Sequence, residues 1–455
     1  MNTRTKHALH TDLYQLTMAA AYFQAGLRHK ASFEMFVRSM PRDRGYLLAA
    51  GLEQILAYLT DLRFTGEEID YLRDHPSFRH VDKGFFEYLR QFEFHGEIWA
   101  LPEGTLFFAA EPLIRVTAPL IEAQIVETYI LSMLNFQTMV ATKASRVVGA
   151  ARGRTVVDFG TRRAHGPEAG VWAARASTIG GCAGTSNVHA ARTLGISAVG
   201  TAAHSFVMAF DTEKEAFETY FSVFPESTVF LIDTYDTLTG ARLATAFGPG
   251  VRGVRLDSGD LASLATEVRR ILDDAGMTDT KIMASSDLNE YRIEELLDQG
   301  APIDSFGVGT EMVTSRDDPA LSGVYKLVET EREGRTEYRL KLSRDKATLP
   351  GRKQVFRRVE DGRLREDLIG LHDEQPEPGY VPLMEKYMEN GRVLSEPPAL
   401  EQIRQRALEG IEALDPGVRK TRSPEPYPVH PSPKLRALFD RVRKTFEDRG
   451  PKEGS

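Results

Sequence analysis

From about residue 150 the apolar positions fall into short runs separated by amphipathic stretches. Residues 155–159, 196–199, 228–232, 251–256, 281–284 and 303–306 read as short buried strands, Thr228-Val-Phe-Leu-Ile232 being the most apolar. Between and after them, residues 169–179, 188–194, 213–224, 235–244, 261–275 and 288–297 place apolar side chains three and four apart, as in Leu261, Leu264, Val268 and Leu272, which predicts helices. Repeated strand–helix units predict an α/β protein with a mainly parallel sheet, either doubly wound or closed as a barrel. Residues able to do chemistry follow almost every strand instead of clustering at one switch point, which favours the barrel.

The flanks have a different texture. An amphipathic helix over residues 11–23 is capped by Thr11 or Asp12, a strand alternates over 31–38, helix returns over 52–62, and 70–115 mixes short helices and strands with Gly/Pro turns. A strongly apolar helix over 120–134 leads into the ladder. After about 320 strands are expected at 323–329 and 338–342, then a basic run over 341–353. Two charged helices follow at 400–414 and 434–448, and disorder is expected from Arg449. The expected division is an α+β region over 1–125, an α/β barrel carrying the active site over 126–320, and strands and helices over 321–455 that return to the α+β domain.

At 455 residues, 42% hydrophobic and 27% charged, the chain has the composition of a globular protein with a large core. A net charge of −8 argues against nonspecific nucleic-acid binding but leaves room for local basic pockets. The single cysteine, Cys182, excludes an internal disulfide and a thiolate zinc cage, and fits a reducing cytoplasm. Arg4 and Lys6 precede no apolar signal core, and no apolar run has membrane-spanning length. A cytoplasmic protein is expected.

The most informative stretch is Gly253-Val-Arg-Leu-Asp-Ser-Gly-Asp-Leu261, a strand running into a polar turn and a helix. Asp260 or Ser258 can cap that helix; capping does not account for Arg255 or for a second acid, Asp257. Earlier, Asp158-Phe-Gly-Thr-Arg-Arg163 sets Arg162 and Arg163 at a strand end, where a guanidinium pair suits anion capture. Two surface arginines are the plainer reading, weakened by the Phe159-Gly160 turn. The Gly180–Asn187 loop can offer backbone amides to an anion, although such loops usually just turn corners. His204 sits in a Gly/Ala-rich segment with little bulk to bury it, so a working imidazole and a structural one weigh equally. Asp233 and Asp236 end the next strand, where an acid can fix the imidazole tautomer. Ser285–Glu290 reads first as a helix start with an Asp287/Glu290 capping box. Phe306-Gly-Val-Gly-Thr310 follows the last ladder strand, a position where backbone amides commonly grip phosphate. Together these residues suit a phosphorylated polyanion with Mg2+ held by carboxylates.

In order along the chain, Thr11-Asp-Leu-Tyr-Gln-Leu-Thr-Met18, Asp158-Phe-Gly-Thr-Arg-Arg-Ala164, Gly184-Thr-Ser-Asn187, Gly200-Thr-Ala-Ala-His-Ser-Phe206, Asp233-Thr-Tyr-Asp236, Arg255-Leu-Asp-Ser-Gly-Asp260, Phe306-Gly-Val-Gly-Thr310 and Pro350-Gly-Arg-Lys-Gln354 resemble the nicotinate phosphoribosyltransferase family. His165 and His189-Ala-Ala-Arg192 depart from the pattern. The resemblance implies an irregular α/β barrel of the type II phosphoribosyltransferase kind joined to an α+β domain, in a cytoplasmic homodimer with shared active sites. The implied reaction joins nicotinate to phosphoribosyl pyrophosphate (PRPP), forming nicotinate mononucleotide and pyrophosphate in NAD salvage. ATP is a co-substrate hydrolysed through a phosphohistidine, and Mg2+ is required.

By the same resemblance, Tyr14 of a neighbouring subunit and Phe159 sandwich the pyridine. Arg255 pairs with the nicotinate carboxylate or a neighbouring phosphate, and Arg162 and Arg163 with phosphates. Gly307 and Gly309 cradle the 5′-phosphate, Thr310 is a further substrate-binding residue, and Asp257 meets ribose or Mg2+-pyrophosphate. His204 is phosphorylated, beside Ser205, with Asp233 orienting it; Asp257 or Asp260 reaches the metal through pyrophosphate. Ser186 stands where the related nicotinamide enzyme has an aspartate, which favours an anionic ring substituent. The alternatives are a nicotinamide or quinolinate phosphoribosyltransferase. A barrel phosphosugar isomerase or aldolase fits less well, for want of a buried Schiff-base lysine at a strand end.

Overall fold

The computed structural model describes residues 8–342 and 348–448. Arg4 and Lys6, part of the basic 341–353 run and the tail from Arg449 lie outside the described residues. The chain divides into two compact units, Met139–Pro319 and a second formed by Met1–Thr138 with Ala320–Ser455.

In the Met139–Pro319 unit, five parallel strands, β1 (Thr155–Asp158), β2 (Val229–Leu231), β3 (Gly253–Leu256), β4 (Lys281–Ala284) and β5 (Ser305–Val308), stand in the order β1-β5-β4-β3-β2. Single parallel bridges from Asp158 to Thr185 and from Thr185 to Ala198 carry the sheet two segments further. The strand expected over 196–199 is thus one bridge residue: Ser197 and Ala198 are exposed, so too little of the segment is buried to hold a full ladder. Among the described residues no strand pairing joins the Ala198 segment to β2, so the backbone alone forms an arc. Val254, Leu256, Ile282, Ala284, Phe306 and Val308 bury one continuous core with Leu261, Val268 and Leu272 of helix Leu261–Asp274, and Phe217 stacks on Phe230 at 4.3 Å. Because the strands are parallel, the residues after each of them reach the same edge of the sheet.

The other unit is α+β. Its largest sheet has seven strands in the order Arg335–Tyr338, Gly323–Arg332, Lys30–Val37, Pro112–Pro119, Glu97–Ala100, Glu385–Glu389 and Arg392–Val393, so N- and C-terminal segments pair directly. The expected strand over 338–342 lies instead at Arg335–Tyr338. Helix Leu13–Gln24 has Asp12 at its N-cap position, but the carboxylate accepts from Thr128 Oγ1 (2.8 Å) and not from a helix amide.

The helix expected over 120–134 is broken at Val126 and continues as Glu127–Ala150. Its second half buries Gln137, Thr138, Thr142, Lys143, Ser145 and Arg146. A helix that buries polar residues leaves no amphipathic stripe to read. Among the described residues no helix is long and apolar enough to cross a membrane.

Candidate active site

At the carboxyl edge of the parallel sheet lies a cavity of about 220 Å³, lined by Phe159, Arg162, Arg163, Arg255, Asp257, Ser285, Ser286, Asp287, Gly307, Gly309 and Thr310. Each lining residue belongs to a strand end or to the turn after it.

After β1, buried Asp158 accepts from Thr185 Oγ1 (2.7 Å) and the Gly160 amide (2.8 Å), which pins the turn that presents Phe159. Burial pushes the Asp158 carboxyl up, and these two hydrogen bonds oppose the shift. The Phe159 ring lies on Gly307 of β5 so closely that a Cβ there would stand 2.5 Å from it. Gly307 is therefore fixed by contact with an aromatic ring. Thr161–Arg163 forms a single 3-10 turn, and the guanidinium groups of Arg162 and Arg163 are exposed, with no protein partner among the described residues. Gly309 precedes the short helix Thr310–Val313.

Arg255, on β3, is largely buried and tightly held. Its Nε donates to Ser285 Oγ (2.8 Å), one terminal nitrogen to Thr201 Oγ1 (2.6 Å) and the other to Asp257 Oδ1 (3.0 Å). Its guanidinium carbon lies 5.6 Å from the centre of the Phe159 ring. Asp257 Oδ1 also accepts from Ser285 Oγ, while Oδ2 stands 3.6 Å from His204 Nε2. Burial would raise the Asp257 pKa; the Ser285 hydrogen bond, the Arg255 charge and His204 outweigh it and hold the carboxyl below its usual range.

His204 opens the short helix His204–Val207, with exposed Ser205 next to it. Its Nδ1 is 3.2 Å from Thr234 Oγ1. Among the described residues Asp233, expected to orient this imidazole, makes no hydrogen bond to it. Asp233 Oδ2 accepts from the Asp257 amide (2.8 Å) and Ser258 Oγ (2.7 Å), so Asp233 braces the turn after β3, while Thr234 and Asp257 flank the ring. Asp236 caps helix Thr237–Thr245 through the Thr239 amide (2.8 Å). Asp260 is the N-cap residue of Leu261–Asp274, and its carboxylate accepts from Ser263 Oγ (2.6 Å).

The Asp287/Glu290 capping box is corrected. Asn289 caps helix Glu290–Asp298 by accepting from the Arg292 amide (2.9 Å). Glu290 is fully buried between Lys143 (2.6 Å) and Arg146 (2.9 Å), and Lys143 also pairs with Asp317 (2.9 Å). Asp287 is exposed and lines the cavity.

Ser186 is half-buried beside buried Thr185, its amide donating to the Asp158 carbonyl (2.8 Å). Tyr14 belongs to the other unit, where it is 50% exposed next to Leu13 at 46%. His189 and Arg192 are exposed.

Residues 155–334 match the nicotinate phosphoribosyltransferase (NAPRTase) family, residues 9–135 its N-terminal domain and residues 379–439 its C-terminal domain. A nicotinate phosphoribosyltransferase of Mycobacterium tuberculosis is 46% identical over 446 residues, covering 96% of this chain and 94% of its own. The chain belongs to the nicotinate phosphoribosyltransferase family. The Bacillus subtilis nicotinate phosphoribosyltransferase is 41% identical over 455 residues, covering 93% of this chain and 92% of its own. The crystal structure of human nicotinic acid phosphoribosyltransferase superposes with a TM-score of 0.84 at 29% identity, covering 95% of this chain and 99% of that one.

Three side chains of this nicotinate phosphoribosyltransferase-family site were given no site role by sequence reading: Thr201, Thr234 and Ser285. Each is a small hydroxyl beside a more conspicuous ionisable residue. Ser285 had one usable signal: it directly follows a ladder strand, as Asp257 follows β3 and Phe159 follows β1.

The donor set also bears on a metal. Among the described residues no group of three acidic, His or Cys side chains is arranged to hold one. Mg2+ commonly takes one or two carboxylates and completes its shell with phosphate oxygens and water. Asp257 Oδ2 carries no hydrogen bond among the described residues and fits that mode of binding.

Proposed function

We propose that this chain transfers the phosphoribosyl group of PRPP to the ring nitrogen of nicotinate, releasing pyrophosphate, with ATP hydrolysis coupled through phosphorylation of His204. What carries the reading is the convergence of Arg255, Asp257, His204, Phe159 and the Gly307/Gly309 turn on one edge of a single parallel sheet.

The nicotinate nitrogen bonds to ribose C1 as the C1–O bond to pyrophosphate breaks, and the leaving group keeps the electron pair. Negative charge grows on pyrophosphate, where Arg162 and Arg163 are free to meet it, and positive charge develops at ribose, where ionised Asp257 is favourable. No side-chain nucleophile at carbon is needed; orientation and charge placement suffice. Mg2+ bound with pyrophosphate through Asp257 or Asp260 would neutralise phosphate charge. A neutral imidazole nitrogen of His204 attacks the terminal phosphorus of ATP, ADP leaves, and water later cleaves the phosphohistidine. Asp257 beside Nε2 favours the cationic phosphorylated ring.

A 5′-phosphate fits against Gly307, Gly309 and Thr310. Phe159 offers a face to the pyridine, and Arg255 lies over that ring where a carboxylate can reach it. Ser186 brings no negative charge, which supports nicotinate over nicotinamide. The cavity is below the roughly 300–1,000 Å³ usual for small-molecule sites, so a second chain completing it is reasonable. Exposed Leu13 and Tyr14 support a homodimer in which Tyr14 stacks on the substrate in the partner's site. The single cysteine, Cys182, is buried as a thiol, which supports a reducing, cytoplasmic setting.

The test is one assay: purified protein, PRPP and Mg2+ with nicotinate, nicotinamide or quinolinate, each with and without ATP. Turnover of nicotinate, accelerated by ATP, is expected. Preference for nicotinamide would overturn the substrate assignment, and no product with any of the three would overturn the reaction.

A further inference from the structure

We propose that Ser285 is a positioning residue, whose hydroxyl closes a hydrogen-bonded ring with Arg255 and Asp257 and so aims both groups at the substrate. Arg255 Nε donates to Ser285 Oγ (2.8 Å), Ser285 Oγ donates to Asp257 Oδ1, and Asp257 Oδ1 also accepts from an Arg255 terminal nitrogen (3.0 Å). A hydroxyl has one proton to give. The Leu256 carbonyl, at 3.3 Å, is the competing acceptor, and an ionised carboxylate is the stronger of the two. Donation to Asp257 leaves the Ser285 lone pairs for Arg255, so hydrogen bonds run from Arg255 to Asp257 both directly and through Ser285.

Two consequences follow for the site. Asp257 Oδ1 is occupied twice, so the oxygen left for a ligand is Oδ2, on the His204 side. Arg255 is fixed at Nε and at both terminal nitrogens, and the nitrogen paired with Asp257 keeps a second N–H for a ligand. Without Ser285 the carboxylate would be held by Arg255 alone, and both side chains would gain rotamer freedom.

The backbone holds Ser285 in place independently of this ring. Its amide donates to the Leu256 carbonyl (2.8 Å), extending the β3–β4 pairing by one step, and the residue is only 3% exposed. The next residue, Ser286, has φ = 119°, a left-handed conformation that non-glycine residues rarely adopt. The chain therefore turns sharply just after Ser285 and lines the cavity with Ser286 and Asp287. Strain tolerated beside a cavity accords with a conformation held there for function.

The inference rests on the phosphoribosyl-transfer reading, and the test separates the two. Wild-type protein, Ser285→Ala, Thr201→Val and the double variant are compared in nicotinate turnover with PRPP, Mg2+ and ATP, with melting midpoints measured alongside. Losing a hydrogen bond between charged groups predicts that Ser285→Ala lowers kcat about tenfold and raises KM for PRPP, at a nearly unchanged melting midpoint. Thr201 holds the same guanidinium, so the Ser285→Ala loss should be smaller in the Thr201→Val background. Fully additive losses, or Ser285→Ala kinetics equal to wild type, would overturn the positioning role while leaving the reaction standing. A wild type that forms no product overturns the reaction itself. If Ser285→Ala does not fold, the residue is structural and the inference falls.

Discussion

His204 Nε2 and Asp257 Oδ2 face each other at 3.6 Å. The imidazole comes from the helix after the Ala198 segment and the carboxylate from the end of β3, so this pairing exists only when the sheet is assembled. In the proposed reaction Asp257 serves both at the sugar and at the histidine. Asp257→Asn is expected to lower turnover by about a hundredfold or more, within the range of positioned acid–base and electrostatic groups, and to suppress phosphorylation of His204. His204→Ala should lose mainly the ATP stimulation and keep slow transfer. Steady-state kinetics with and without ATP, together with acid-labile phosphate on the protein, check both.

Gly307→Ala places a methyl group 2.5 Å from the Phe159 ring. The ring can swing, so the fold should survive while the ring leaves its seat. A rise in KM for nicotinate of about tenfold, with an unchanged circular dichroism spectrum, is the expected outcome for a loss near 1.4 kcal/mol.

Ser186→Asp would put a negative charge where Ser186 now stands. Nicotinate should be repelled and nicotinamide relatively favoured, seen as a fall in the ratio of kcat/KM for the two substrates. An unchanged ratio would show that Ser186 does not face the ring substituent.

Lys143→Met removes a fully buried cation from between Glu290 and Asp317. Breaking a buried ion pair from one side typically costs about 3–5 kcal/mol. Urea unfolding should show a loss near the lower figure, because Arg146 still reaches Glu290. Paired replacement, Lys143→Met with Glu290→Gln, should be milder than the sum of the single changes.

In the α+β unit, His372 is pushed down to about 4 by burial and by the charges of Arg115, Arg352 and Lys386. The Arg115 guanidinium lies 3.2 Å from His372 Nδ1, which fits a neutral ring accepting a hydrogen bond. The folded state thus resists a proton that the unfolded chain accepts at its ordinary value near 6.5. This contribution to stability is present above that value and is lost as pH falls from there toward 4. His372→Gln should flatten that part of the stability–pH curve, measured as the difference in melting midpoint between neutral and mildly acidic buffer.

The sequence by itself determined the strand–helix ladder, the polar groups after its strands and the family, because strand and helix periodicities are local and the motifs are contiguous. The helices Leu52–Asp61 and Leu400–Ala413 and the strand Lys281–Ala284 are legible for the same reason. Tertiary structure alone decided which groups meet. Asp233 and Asp257 are equally acidic on paper, and only the alignment of β2 with β3 turns one toward a backbone amide and the other toward His204. Glu290 looks like a capping residue until a helix from 144 positions earlier brings Arg146 to it. Ser285 looks like the start of a helix until β4 lies against β3 and its hydroxyl reaches Arg255, 30 positions away. A single hydroxyl or carboxylate has no period, so its partner is set by strand order and register, which local spacing does not encode.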